Sequence, residues 1–179
     1  MKEFSLICAV SLNGVIGNSE TNSIPWYLPT DLRFFKSKTF DHTVVMGSNT
    51  YRSIGKTLPN RRNVVITRDA DAGKRMISEN GIDEFYPSFR DAYAVEQDFF
   101  VIGGQHIYQE AMIKQPKRMF ITIVNSEFEG DVRFPIEGHR FLRDQVVVSD
   151  KVKYNCVKRS AWGLENGLEY QFTEFVLND

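Results

Sequence analysis

Phe99-Phe100-Val101-Ile102-Gly103-Gly104-Gln105-His106-Ile107-Tyr108, running on through Ala111-Met112 to Arg118-Met119-Phe120-Ile121-Thr122-Ile123-Val124, decides the fold class of this chain. Phe99–Ile102 is a short, wholly apolar run, as in a strand covered on both faces. The glycine pair ends it, Gly104–Met112 reads as a helix, and Arg118–Val124 is strand-like again. Strand–helix–strand alternation of this kind argues for a mostly parallel sheet with helices on both faces.

The same alternation extends outward. Phe4–Val10 is a buried-strand run, and Pro29–Phe40 is a helix with Leu32, Phe35 and Thr39 along one side. Thr43–Met46 is a strand, and Ser48–Ile54 a short helix capped by Ser48 or Asn49. Asn63–Thr67 and Gly81–Tyr86 are further strands. Ser88–Val95 is a helix capped by Ser88, with Phe89, Ala92 and Tyr93 inward. The end differs: Gln145–Ser149, Val152–Ser160 and Leu168–Leu177 are strand-like with no helix between them, and Asn166-Gly167 is a hairpin turn. Leu168, Tyr170 and Phe172 alternate while Phe175 falls out of phase, which predicts a bulge near Thr173–Glu174. The expectation is one α/β domain over residues 1–179: a mostly parallel central sheet, flanking helices and a C-terminal antiparallel hairpin.

Composition narrows the function. The 179 residues carry a net charge of −1 with 13% aromatic residues, and no basic stripe points to nucleic acid. Cys8 and Cys156 lack metal-type spacing and sit in apolar runs, so both are expected to be buried thiols of a reducing compartment. His42, His106 and His139 are scattered and form no metal set. No signal-peptide pattern or membrane-length apolar run is present, so the expected location is the cytoplasm.

Candidate chemistry gathers beyond the carboxyl ends of the strands, where open α/β sheets bind ligands. Gly103-Gly104, between a strand and a helix start, is either a phosphate cradle or a tight packing turn. It is not the GxGxxG fingerprint. Thr67-Arg68 at a strand end can grip a phosphomonoester or simply be solvated. Gly14 and Gly17, followed by the polar stretch Asn18–Ser23, make a surface loop or a lid. Asp31, in Pro25-Trp26-Tyr27-Leu28-Pro29-Thr30-Asp31-Leu32-Arg33-Phe34-Phe35, is either an exposed first-turn acid favoured by the helix dipole or a pocket carboxylate for a flat, amidine-like ring.

These segments, taken in order, resemble the dihydrofolate reductase family over nearly the whole chain. The resemblance rests on Gly14-Val15-Ile16-Gly17, Pro25-Trp26-Tyr27-Leu28-Pro29-Thr30-Asp31-Leu32, Phe34-Phe35-Lys36, Val45-Met46-Gly47-Ser48-Asn49-Thr50-Tyr51, Ser53-Ile54-Gly55, Leu58-Pro59-Asn60-Arg61, Val101-Ile102-Gly103-Gly104, Ile107-Tyr108, Glu129-Gly130-Asp131 and Phe134-Pro135.

The resemblance implies reduction of dihydrofolate with NADPH, by a monomer that needs neither metal, nucleic acid nor membrane. It implies catalytic roles for Asp31, which binds the pterin, for Trp26, which orders a water, and for Tyr108. Ile7, Cys8 and Ala9 would lie beside the pterin, with Thr122 bonded to Asp31. Leu32, Phe35, Ile54 and Leu58 would clamp the benzoyl group, and Arg61 would pair with the glutamate α-carboxylate. Ala9, Ile16 and Tyr108 would line the nicotinamide site. Gly47, Ser48, Asn49, Thr50, Ile102, Gly103, Gly104, Gln105, His106 and Ile107 would surround the rest of the cofactor. The glycine pair is expected to be joined by a cis peptide, and Thr67 and Arg68 to meet the 2′-phosphate. Asp131 would brace the lid.

This chain departs from the family at Ser48 and His106, where many and some members respectively carry a basic residue. Its Asn18–Ser23 segment is longer than in compact bacterial members. Rival readings are a reductase of the same fold acting on another pterin or a riboflavin precursor, and a non-catalytic folate- or nucleotide-binding protein.

Overall fold

The computed structural model describes residues 2–178. In chain order the strands are β1 (Ser5–Ser11), β2 (Val15–Gly17), β3 (Thr43–Gly47), β4 (Arg62–Ile66), β5 (Glu84–Tyr86), β6 (Phe99–Gly103), β7 (Arg118–Val124), β8 (Val132–Arg133), β9 (Gln145–Ser149), β10 (Val152–Arg159), β11 (Gly163–Glu165) and β12 (Leu168–Leu177). The α-helices are α1 (Pro29–Thr39), α2 (Ser48–Ile54), α3 (Ala70–Asn80), α4 (Phe89–Val95) and α5 (Gln105–Ile113).

One ten-stranded sheet runs β5-β4-β3-β6-β1-β7-β12-β10-β9, with β11 paired to β12. From β5 through β7 every pairing is parallel; β12, β10 and β9 extend the β7 edge in antiparallel fashion. The α/β expectation therefore holds, including the antiparallel end. Two apolar clusters cover opposite faces of the sheet, one around Leu6, Val10, Phe99 and Ile121 and the other around Ile7, Met46, Val65 and Phe120. Odd and even residues of β1 and β7 thus face different cores, which explains their unbroken apolar runs. No helix among the described residues is long and apolar enough to cross a membrane.

Four local expectations are corrected. The bulge lies on β10, between Cys156 and Lys158, while β12 keeps an unbroken register with β7. Phe175 leaves the Tyr170–Phe172 phase because β12 is buried on both faces: Thr173 and Phe175 are on one side and Tyr170 belongs to a third cluster on the other. Cys156 is half-buried rather than buried, whereas Cys8 is buried. Helix α2 begins straight after β3 with Gly47 as N-cap, so Ser48 and Asn49 lie inside its first turn and neither caps it. Finally, the sequence reading passed over α3. Its interior Gly73 weakens the helical signal, yet that glycine is required, because a Cβ there would lie 2.5 Å from the Phe85 ring. Asp69 caps α3 by accepting from the Ala72 N–H at 2.9 Å.

Candidate active site

Helix α1 carries Asp31 in its first turn. Pro29 suits that turn, since a missing N–H there costs no hydrogen bond. The dipole reading of Asp31 predicts a solvated carboxylate, but the side chain is only partly accessible. Thr122 of β7, itself buried, donates its hydroxyl to Asp31 Oδ1 at 2.6 Å. Burial pushes the Asp31 carboxyl up to about 6; the Thr122 hydrogen bond opposes this and the charge of Glu165 adds to it. A carboxylate withdrawn from water and anchored at one oxygen is prepared to clasp a donor pair.

Around it the strand ends assemble the expected residues. Tyr108 of α5 donates its hydroxyl to the Ile7 carbonyl at 2.8 Å. Cys8 lies against the Tyr108 hydroxyl, and burial pushes its thiol up to about 12. This keeps Cys8 a neutral packing group and not a thiolate. Burial likewise holds Tyr108 far above the usual phenol range, so it stays a hydrogen-bonding hydroxyl. Ala9 and Ile16 are half-buried, Ala9 following Cys8 on β1 and Ile16 packed against the larger core. Trp26 packs on Phe128 with ring centroids 5.1 Å apart.

Of the residues expected on the substrate side, Phe35, Ile54 and Leu58 are half-buried against the second core, while Leu32 is 53% exposed. That exposure suits a wall facing an open groove. Phe34, one position along α1, turns to the neighbouring flank and stacks on Phe172 at 4.1 Å. With Lys38 and Phe120 it lines a separate cavity of about 140 Å³. Arg61 is tethered by Nε to the Pro59 carbonyl at 2.9 Å and by Nη1 to Thr39 Oγ1 at 3.1 Å. Its guanidinium sits 6.0 Å from the Phe35 ring centre, beside a hollow of about 260 Å³ that it lines with Asp41, His42, Thr43, Asn60 and Arg62. Arginine held in plane by such tethers loses little freedom on meeting a carboxylate.

Most of the residues expected on the dinucleotide side lie at the ends of β3 and β6 and in the helices that follow them. The Gly103-Gly104 peptide is cis, and Gly103 has φ +124°. A Cβ on Gly103 or Gly104 would fall 3.3 or 3.2 Å from Thr50 Oγ1. A Cβ on Gly47 would meet Ile107 at 3.3 Å. Helices α2 and α5 both start on glycine N-caps without a side-chain acceptor, in contrast to α3 and α4, which Asp69 and Ser88 cap. First-turn N–H groups beside a bare glycine cradle suit phosphate, so these residues fit a dinucleotide. Ile102 is buried at the end of β6. Ser48, Asn49 and Gln105 occupy the first turns, with Gln105 also accepting from the Arg133 N–H at 2.7 Å. His106 is exposed on α5, and Thr67 and Arg68 stand just past β4, Arg68 in solvent.

The Asn18–Ser23 segment folds back on itself, with the Asn18 N–H donating to the Ser23 carbonyl at 3.0 Å. Asp131 accepts from the Ser19 N–H at 2.8 Å and from the Ser19 hydroxyl. On the other side Ser53 of α2 donates to the Asn22 carbonyl at 2.7 Å. The segment is thus strapped between β8 and α2.

Sequence reasoning missed Glu165. Leu28, the N-cap of α1, makes no side-chain cap bond. Instead Glu165 Oε1 accepts from the Thr30 N–H at 2.9 Å and Oε2 from the Thr30 hydroxyl at 2.7 Å. The Asn166-Gly167 turn locates Glu165 at a hairpin end, but nothing local indicates which helix it meets.

Comparison with known proteins agrees with this geometry. The family model described as dihydrofolate reductase matches residues 3–159. A dihydrofolate reductase of Staphylococcus aureus (strain Mu50 / ATCC 700699) is 41% identical over 131 residues, 73% of this chain and 77% of that protein. The type 3 dihydrofolate reductase of Salmonella typhimurium is 37% identical over 159 residues, 85% of this chain and 93% of its own. Among solved structures, the Enterococcus faecalis dihydrofolate reductase complexed with NADP(H) and RAB-propyl superposes with a TM-score of 0.77 at 28% identity, covering 99% of this chain and 97% of that one. On the extent of the family match and the identity to these relatives, the chain belongs to the dihydrofolate reductase family.

Proposed function

We infer that this protein reduces 7,8-dihydrofolate to 5,6,7,8-tetrahydrofolate with NADPH, and that the Asp31 region is where it does so. Family membership supports the reaction. The observation that carries the site is the anchored, desolvated Asp31 carboxylate on β7's Thr122.

Asp31 accepts the pterin N3 and 2-amino donors as a bidentate, charge-assisted pair, each bond being worth roughly 1.5–3 kcal/mol where water is excluded. The Ile7 carbonyl takes a further amino hydrogen. Leu32, Phe35, Ile54 and Leu58 flank the benzoyl ring, and Arg61 receives the α-carboxylate. Ala9, Ile16 and Tyr108 shape the wall against the nicotinamide. The α2 and α5 first turns with the glycine pair hold phosphates, and Thr67 and Arg68 take the 2′-phosphate. Bound NADPH supplies a hydride to pterin C6. The accompanying proton reaches N5 from water ordered near Trp26, because Asp31 binds the opposite edge of the ring. The Asp31 charge favours the protonated substrate.

The reading is of a monomer acting as one domain over residues 1–179. A net charge of −1 favours small-molecule partners over nucleic acid. Two free thiols suit the cytoplasm.

The test is purified protein with dihydrofolate and NADPH, then NADH, following loss of reduced nicotinamide. Turnover with preference for NADPH is expected, and absence of turnover overturns the reading. Arg61→Ala separates the rival substrate: it should raise KM for dihydrofolate while leaving a pterin without the glutamate tail unaffected.

A further inference from the structure

We propose that Glu165, contributed by the C-terminal hairpin, is a positioning residue for the reductase reaction, capping the Asp31 helix through Thr30 and setting the pH dependence of hydride transfer. The proposal rests on the reductase reading above.

Helix α1 cannot cap itself. Its N-cap position is leucine, its first residue is proline and its next is Thr30. Glu165 takes both the N–H and the hydroxyl of Thr30, and the Thr30 hydroxyl in turn accepts from Arg33 Nη2 at 2.8 Å. Asn166, the next residue, donates its side-chain amide to the Tyr27 carbonyl at 2.9 Å. Two consecutive hairpin residues therefore grip the chain on both sides of the α1 N-terminus, immediately before Asp31.

The hairpin is itself rigidly placed. Asn166 (φ 51°) and Gly167 (φ 75°) form a turn with both φ positive, the type whose twist matches a two-residue hairpin. Gly163 lies flat under the Tyr170 ring, where a Cβ would come within 2.4 Å. Tyr170 belongs to the same cluster as Leu28 and Val124 and packs with Trp26. The hairpin, the helix start and β7 thus form one unit.

The groups facing Asp31 are the Thr122 hydroxyl of β7, the Cys8 thiol of β1, the Tyr108 hydroxyl of α5 and the Glu165 carboxylate of β11. Cys8 and Tyr108 stay neutral, so Glu165 supplies the only negative charge among them. The Thr30 hydrogen bonds hold the Glu165 carboxyl below the usual range, with Arg33 adding to this. It remains ionised throughout the span in which Asp31 titrates. A fixed negative charge there raises the site's affinity for a proton, and the protonated complex is the one that accepts hydride.

The experiment measures single-turnover hydride transfer against pH with NADPH-loaded enzyme, for wild type, Glu165→Gln and Glu165→Ala. Glu165→Gln keeps an acceptor for the Thr30 N–H and removes the charge. Its profile should move to lower pH, so that above the midpoint its rate is about threefold below wild type while the acid limit is unchanged, as one screened charge would produce. The difference should shrink in high salt, because Glu165 is reached by solvent. Glu165→Ala should add a higher KM for dihydrofolate and a lower melting temperature through loss of the cap. A Glu165→Gln profile that superimposes on wild type overturns the proposal, even if its melting temperature falls, since a purely structural cap leaves the profile in place. Wild-type enzyme inert toward dihydrofolate and NADPH would instead remove the reductase reading itself.

Discussion

The Thr122 hydroxyl of β7 donates to Asp31 Oδ1 of α1 across 2.6 Å, joining the sheet to the helix that bears the proposed pterin-binding acid. This bond directs one carboxylate oxygen and favours its charged form. Thr122→Val should therefore leave Asp31 both mobile and more easily protonated. The loss of one charge-assisted bond predicts a fall in kcat/KM for dihydrofolate of about tenfold to a hundredfold. The hydride-transfer profile should also move to higher pH, opposite to the Glu165→Gln shift. Steady-state and single-turnover kinetics across pH check both.

Asp31→Asn should slow hydride transfer severely at neutral pH, with the loss shrinking as pH falls and the substrate protonates in solution. An unchanged neutral rate would refute the assignment.

The same substitution should stabilise the ligand-free protein at neutral pH. Asp31 has a folded value near 6 against an ordinary 3.8. A raised acid contributes nothing unfavourable below the lower value, where it is neutral in both states. Between the two the unfolded chain ionises first and stability falls; above about 6 the penalty is constant. The interval corresponds to roughly 3 kcal/mol as an upper figure. Denaturant unfolding should show the Asp31→Asn advantage growing from pH 4 to pH 6 and level beyond.

Gly104→Ala should raise KM for NADPH by about tenfold or more while the fold persists. The added methyl would stand 3.2 Å from Thr50 Oγ1, inside the glycine cradle. Pairing it with Thr50→Ala should recover part of the loss, because the obstructing oxygen is then gone. Cofactor titration by fluorescence measures both.

Asp131→Ala removes the acceptor for the Ser19 N–H and hydroxyl. The amide of Ser19 should then exchange with solvent about tenfold faster or more, and KM for NADPH should rise. The Ser53–Asn22 bond keeps the far end of the segment in place, so exchange near Asn22 should change less. Hydrogen exchange resolved by residue distinguishes the two ends.

Much of this molecule follows from local pattern. The run Phe99–Ile102, the glycine pair and Arg118–Val124 predict a parallel unit because apolar period and glycine placement act over a few residues. The Ser88 cap and the Asn166-Gly167 turn are local for the same reason, and both are present. Helix α3 escaped because its Gly73 answers to Phe85, a residue of another element. The β10 bulge escaped because the phase of Phe175 reflects two covered faces, a property of the sheet and not of the strand.

The residues by themselves determined the layered α/β class and the family, and marked Asp31 as a candidate, since these depend on chemical type and order along the chain. Only the tertiary structure decided what Asp31 does with its charge. Its tie to Thr122 reaches across 91 residues, and the Glu165 carboxylate beside it is held by Thr30 across 135. Electrostatics acts through distance in space, and that distance exists only once the sheet has closed.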